Sequence, residues 1–200
     1  MKAMIVVGHP APDSFNHALA ASVHAVWADA GCAVALHDLT AQRFDPLLTA
    51  DEARGGPRQD PLVKRHIADL VGADLLCVVH PNCWGAPPAI MKGWIDRVFA
   101  PGAAYAFAKG VDAGDTPMGL LPLRGALVLN TGNTPTDREA AVFGDPLGRI
   151  WRDCLLGYCS TARVERRLFG VIATSTDAMR RGWLQHAQDL ARGLVPPDLQ

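Results

Sequence analysis

Two hundred residues, 49% apolar and 20% charged, with a net charge of −1, describe one globular domain large enough for a proper core. The balanced charge excludes the single-signed field of a general nucleic-acid or membrane-surface binder. No apolar run approaches the ~20 residues of a membrane-spanning helix, so no membrane insertion is expected.

Met1 to Val7 carries one positive charge and a short apolar run. Gly8-His9-Pro10 ends that run before a signal-peptide core can form, so it reads as a first strand, Ala3 to Val7, in a cytoplasmic protein. Leu19, Val23, Val26, Trp27 and Ala30 then recur at helical spacing. A second strand follows at Ala33 to Leu36. Residues 45 to 59 are rich in Pro, Gly and charge and predict a surface excursion. Val63, Ile67, Leu70 and Val71 mark the next helix, and Leu75 to Val79 the third strand. A helix with Met91, Trp94, Ile95 and Val98 follows, then a long Gly- and Pro-bearing connection from Ala100 to Leu123. Connections of that length are usually functional or packed on a partner. Ala126 to Leu129 is the fourth strand. Asp145 and Pro146 suit the N-cap and first position of a helix with the stripe Leu147, Ile150, Trp151, Cys154, Leu155 and Tyr158. The fifth strand is placed at Leu168 to Ala173, and the last helix carries Met179, Trp183, Ala187, Leu190 and Leu194.

These strands are short and apolar without alternation, as parallel strands buried on both faces are. No repeat or low-complexity block interrupts the pattern. The five β/α alternations predict a single α/β domain over residues 1–200, a three-layer sandwich around a five-stranded parallel sheet of order 2-1-3-4-5. The loops after strands one, three and four then gather at one edge, where such sheets bind ligands.

Each loop has two readings. Gly8 to His17 runs into a helix N-terminus, with His9, Ser14 and Asn16 as side-chain donors. It is a phosphate cradle or a helix start capped by Asp13 or Ser14. Pro81-Asn82-Cys83-Trp84-Gly85 places an aromatic beyond strand three, where Trp84 walls a planar aromatic cofactor or anchors the next helix in the core. Asn130-Thr131-Gly132-Asn133-Thr134-Pro135 lets backbone approach a ligand closely, or is an ordinary turn. Three such loops at one edge favour the ligand reading. The five cysteines (Cys32, Cys77, Cys83, Cys154, Cys159) lack a CxxC pair, and none has Arg six residues on, so neither zinc, a disulfide framework nor phosphatase chemistry is expected. His24, His37, His66 and His186 match no metal spacing.

The segments GHPAPDSFNHALA from Gly8, PAIMKGWIDRVF from Pro88, AYAF at Ala104 to Phe107, the NTGNTP loop and FGDP at Phe143 to Pro146 occur in order along nearly the whole chain. Together they resemble the flavodoxin-like NAD(P)H:quinone oxidoreductase family, which includes ancillary reductases of bacterial potassium-efflux systems. The resemblance implies a flavin, FAD or else FMN, reduced by NAD(P)H and reoxidised in ping-pong fashion by a quinone or related aromatic acceptor. A redox-sensing flavin subunit of a membrane transporter is the alternative. It assigns His9, Ser14, Phe15 and Asn16 to the phosphate side of the flavin. It assigns Pro81, Asn82, Cys83 and Trp84 to the ring, and Thr131, Gly132 and Asn133 to the pyrimidine edge. It also implies a homodimer in which the segment from Tyr105 to Phe107 reaches the partner's site. Two departures stand out. Asp137 and Phe143 occupy the places of the Tyr and His that relay charge in the mammalian members, and Asn82, Cys83 and Gly85 stand where bulkier residues are common. No side-chain acid or base is demanded, so no catalytic residue is named.

Overall fold

A computed structural model describes residues 1–107 and 118–196. The main sheet contains β1 (Lys2–Val7), β2 (Ala33–Asp38), β3 (Leu75–Pro81), β6 (Gly125–Thr131) and β7 (Arg163–Phe169), all parallel, in the order β2-β1-β3-β6-β7. Counted within that sheet this is the expected 2-1-3-4-5. The central strands β3 and β6 are buried almost throughout, and their Val, Leu and Ala residues alternate between two cores. Helices α1 (Phe15–Asp29) and α8 (Asp177–Arg192) cover one face, where Trp27 is fully buried and donates its indole N–H to the Ala191 carbonyl at 3.1 Å. On the other face lie α3 (Pro61–Val71), α4 (Ala89–Val98) and the helical stretch from Pro146 to Cys159.

The fifth strand is displaced from the expected Leu168 to Ala173. Arg163–Phe169 forms the sheet edge, and only Leu168 and Phe169 of it are buried. An edge strand carries charge on its open side, so the apolar-run criterion catches only its end. Helix α5 (Thr136–Phe143) was not expected: Pro135 and the left-handed Gly144 bracket a polar segment with one buried residue, Glu139. The stretch after Asp145 also departs from its predicted stripe. It begins as α6 (Pro146–Gly148), continues as a π-helix over Arg149–Leu156, and ends as α7 (Gly157–Cys159). The wider turn buries Leu147, Trp151, Leu156 and Cys159, and leaves Cys154 and Tyr158 exposed. Val71 and Met179 are likewise exposed.

The excursion after β2 is folded onto the domain. Thr49 and Glu52 close a capping box on α2 (Ala50–Ala53), and Gly93 of α4 lets the backbone of Pro46 lie directly against the helix. A methyl group at Gly93 would overlap that backbone. Gly93→Ala is therefore expected to cost about 1–3 kcal/mol by overpacking, despite its better helix propensity, as a fall in urea midpoint would show. In the long connection, β4 (Tyr105–Ala106) pairs antiparallel with β5 (Met118–Gly119), while residues 108–117 lie outside the described residues.

Registry positions the site. Val79 pairs with Val7 on one side and Leu129 on the other, so β1, β3 and β6 release their loops at one level.

Candidate functional site

The loop after β1 enters α1 through Ser14, which caps the helix: its Oγ accepts the His17 N–H at 3.4 Å and lies 2.8 Å from His17 Nδ1. His17 Nε2 in turn meets Asp38 at 3.0 Å. The capping role weighed in the sequence is thus real, and Ser14 also lines the groove between the loops. Ala11 N–H donates to His9 Nδ1 at 3.0 Å, and Nε2 of that ring has no hydrogen bond among the described residues. Asn16 and Thr131, both buried, bond each other through Asn16 Nδ2 to Thr131 Oγ1 at 3.0 Å and Thr131 Oγ1 to Asn16 Oδ1 at 3.2 Å. This pair ties the first loop to the third.

The loop after β3 is a tight turn. Cys83 and Ala86 exchange both backbone hydrogen bonds, with Trp84 and Gly85 at its tip at φ 57° and 77°. The left-handed conformation is costly for a tryptophan. It turns the side chain outward: Trp84 is fully exposed, so the core-anchor reading is excluded. Gly85 is required here, since a Cβ would lie 2.8 Å from Pro146 Cγ. Asn82 braces the turn by accepting the Gly85 N–H at its Oδ1 (2.8 Å) and donating Nδ2 to Glu139 Oε1 (2.8 Å). Burial raises the Cys83 thiol above its ordinary value, away from a thiolate.

Behind the turn, His80 is completely buried. Its Nδ1 bonds the Pro81 carbonyl at 2.8 Å, and its Nε2 receives the Trp151 indole N–H at 2.8 Å and lies 3.1 Å from Asn130 Nδ2. Burial lowers its pKa to about 4, so the ring is neutral at pH 7, with the proton on Nδ1. Asn130 is held by Arg166 Nε at 2.9 Å, and Arg166 Nη1 pairs with Asp145 at 2.7 Å. Arg166 Nη2 has no hydrogen-bond partner among the described residues.

The three loops enclose a groove of about 750 Å³. Every residue assigned to the cofactor in the sequence lines it: His9, Ser14, Phe15, Asn16, Pro81, Asn82, Cys83, Trp84, Thr131, Gly132 and Asn133. Ala11, Thr134 and Ile172 complete it, and no Lys or Arg is among its lining residues. Among the described residues, the backbone N–H groups of Trp84, Asn133 and Thr134 have no hydrogen-bond acceptor. A second cavity of about 330 Å³ continues from the groove between the Trp84 turn and α5, bordered by Asn82, Asn133, Glu139 and Phe143. Tyr105 and Phe107 line neither. They pack edge to face with each other, and Tyr105 also packs against Tyr158.

A family model described as a flavodoxin-like fold matches residues 1–187. The ribosyldihydronicotinamide dehydrogenase (quinone) of Homo sapiens is 31% identical over 171 residues, 75% of this chain and 72% of that protein. The chain belongs to the flavodoxin-like NAD(P)H:quinone oxidoreductase family. As a member it is an oxidoreductase enzyme. A further relative, named an uncharacterized NAD(P)H oxidoreductase of Haemophilus influenzae, is 29% identical over 192 residues, 94% of this chain and 92% of that protein. The solved NAD(P)H:quinone oxidoreductase of Methanothermobacter marburgensis has the same fold, with a TM-score of 0.84 over 98% of this chain and 99% of its own at 23% identity.

Two features of this family member were missed in the sequence. His80 is one; its signal was a histidine ending an apolar strand beside Asn130, its registry partner on β6. Glu139 is the other. Asp137 is exposed to solvent, and the acid turned inward from α5 is Glu139. Among the described residues, no group of His, Cys, Asp and Glu has the arrangement of a metal site, and no helix is long and apolar enough to cross a membrane.

Proposed function

We propose that the groove holds a flavin and that the protein carries out two-electron reduction of quinones or related aromatic acceptors at the expense of NAD(P)H, in a ping-pong cycle. The observation that carries this reading is the convergence of the three loops, with all their candidate residues, on one groove of about 750 Å³. The residues fit the cofactor. The first turn of α1 offers Phe15 and Asn16 N–H groups to a phosphate. The unbonded N–H groups of Trp84, Asn133 and Thr134 suit a ring edge that becomes negative on reduction. With no Lys or Arg along the groove, the charge-spread pyrophosphate of FAD fits better than the dianionic terminal phosphate of FMN.

Such a flavin would supply the hydride chemistry, accepting from the nicotinamide and giving to the quinone. The chain's residues bind and orient. The Asn16–Thr131 pair fixes the spacing of two loops, and the Asn82 brace holds the Trp84 turn open to a planar ligand. No side chain in the groove has to move a proton for hydride transfer itself. Tyr105 and Phe107, away from the groove of their own chain, are proposed to complete the site of the partner in a homodimer.

The test is a visible spectrum of protein reconstituted with FAD or with FMN and desalted. A flavin band retained with FAD and bleached by anaerobic NADPH in one two-electron step is the expected result. Retention of FMN alone overturns the choice of FAD. Loss of both flavins on desalting overturns the reading of the groove.

A further inference from the structure

The cavity beside the groove has a composition of its own. Its walls include Trp84, fully exposed on its strained turn, and Phe143, 53% exposed on the last turn of α5. With them in the wall is Glu139, a residue only 4% exposed and nonetheless part of the cavity lining. One carboxylate oxygen, Oε1, accepts Asn82 Nδ2 at 2.8 Å. The amide cannot simply turn over, because Asn82 Oδ1 is already engaged by the Gly85 N–H at 2.8 Å. Glu139 is therefore held by a neutral amide and not by a cation. The buried guanidinium nearby, Arg166, feels Glu139, but its direct ion pair is with Asp145 at 2.7 Å. Arg138 and Arg149, the other cations on neighbouring turns, face solvent. None of the cavity's lining residues is a Lys, Arg or His.

We infer that Glu139 is a specificity-determining residue that makes this cavity select planar aromatic rings bearing a positive charge or N–H donors and reject anionic ones. The physical reasons act together. A carboxylate set in a partly desolvated wall attracts a cation, and accepts from an N–H donor, more strongly than it does in water. Indole and phenyl faces present negative quadrupoles, which favour the same sign of charge. An anionic ring meets repulsion from Glu139 and finds no cation in the wall to offset it. Quinone-imines and phenothiazinium-type acceptors fit this description, and sulfonated quinones do not. The inference rests on the proposed flavin reading only in treating the cavity as the place of the acceptor.

The test is calorimetric titration of the reconstituted holoenzyme with three unreactive bicyclic ligands: N-methylquinolinium, quinoline and naphthalene-2-sulfonate. The expected order of affinity is cation, neutral, anion, with cation over anion by at least about ten-fold. In Glu139→Gln the ratio should collapse to within about three-fold. Equal binding of cation and anion by the wild-type protein overturns the inference, even if the variant fails to fold. A ratio unchanged in a folded Glu139→Gln variant overturns it as well. Because no ligand is reduced, these outcomes are independent of whether NADPH bleaches the flavin. Turnover with a neutral quinone and its sulfonate then gives the catalytic counterpart: the variant should recover activity toward the sulfonate selectively, through KM.

Discussion

Replacing Arg97 by methionine is expected to destabilise the protein by about 3–5 kcal/mol, the cost of breaking one side of a buried ion pair. Arg97 on α4 and Glu52 on α2 are each only 3% exposed at their side chains. The contact is bidentate, with Nε to Oε2 at 3.1 Å and Nη2 to Oε1 at 3.0 Å. Nη1 donates to the Asp45 carbonyl at 2.8 Å and lies 3.5 Å from Asp60. One guanidinium thus anchors both ends of the excursion between β2 and α3. The hydrogen bonds from Arg97 also hold the Glu52 carboxyl below its ordinary pKa despite burial. Methionine fills much of the same volume and leaves Glu52 buried without its bidentate partner, with only the more distant field of Arg58. Chemical unfolding should show the loss directly, and limited proteolysis should cut first between residues 45 and 60. The double variant Arg97→Met with Glu52→Leu should regain most of the stability, because the stranded charge and not the absent pair causes the damage. A single variant within about 1 kcal/mol of wild type would mean that water reaches Glu52 freely.

The core strands were readable because the physics that buries them leaves a local trace. Leu75 to Val79 and Ala126 to Leu129 are unbroken apolar runs, which only a strand covered on both faces requires. The edge strand leaves no such trace: Arg163, Glu165, Arg166 and Arg167 break its apolar run with charge, and the expected segment started only where burial starts. The π-helix was unreadable for a different reason. A stripe projected at 3.6 residues per turn selects Cys154 and Tyr158, whereas the wider turn brings Leu156 and Cys159 inward. In the site, the three loops were legible because they follow β1, β3 and β6, while the assignment of their individual residues rested on the family resemblance. Glu139 and Arg166 were not legible. Their importance comes from contacts across the fold, Asn82 to Glu139 and Asn130 to Arg166, which no spacing encodes. Ser14 shows that two readings of one residue need not compete, since the cap and the groove wall are the same side chain.

Acidification from pH 7.5 to pH 4.5 is expected to remove on the order of 5 kcal/mol of stability, through two buried histidines whose folded pKa values lie well below the unfolded one. His66 is fully buried, and burial, followed by the field of His37, lowers its pKa to about 3. Its Nδ1 receives the Trp94 indole N–H at 3.0 Å, so the proton sits on Nε2 and is given to Gln42 Oε1 at 3.0 Å. Gln42 Nε2 then donates to His37 Nδ1 at 3.2 Å, and His37 Nε2 to Asp69 at 2.9 Å. The chain is satisfied only with both rings neutral. Their centroids are 3.9 Å apart, so a charge on either opposes a charge on the other. His80, lowered to about 4, is likewise an acceptor at Nε2 and cannot be charged without losing the Trp151 bond. The unfolded chain takes up these protons first, near pH 6.5. Stability is therefore full above that value and is lost as pH falls through the window down to about 4 and 3. Thermal melts at pH 7.5, 6, 5 and 4.5 should fall with a slope approaching two protons per molecule. His66→Gln should melt lower at neutral pH and follow a shallower slope in acid. A melting temperature constant between pH 7.5 and 5 would refute the argument. His80 keeps its Nδ1–H bond to the Pro81 carbonyl in either state, so charging it at Nε2 is opposed at the Trp151 and Asn130 contacts in the core.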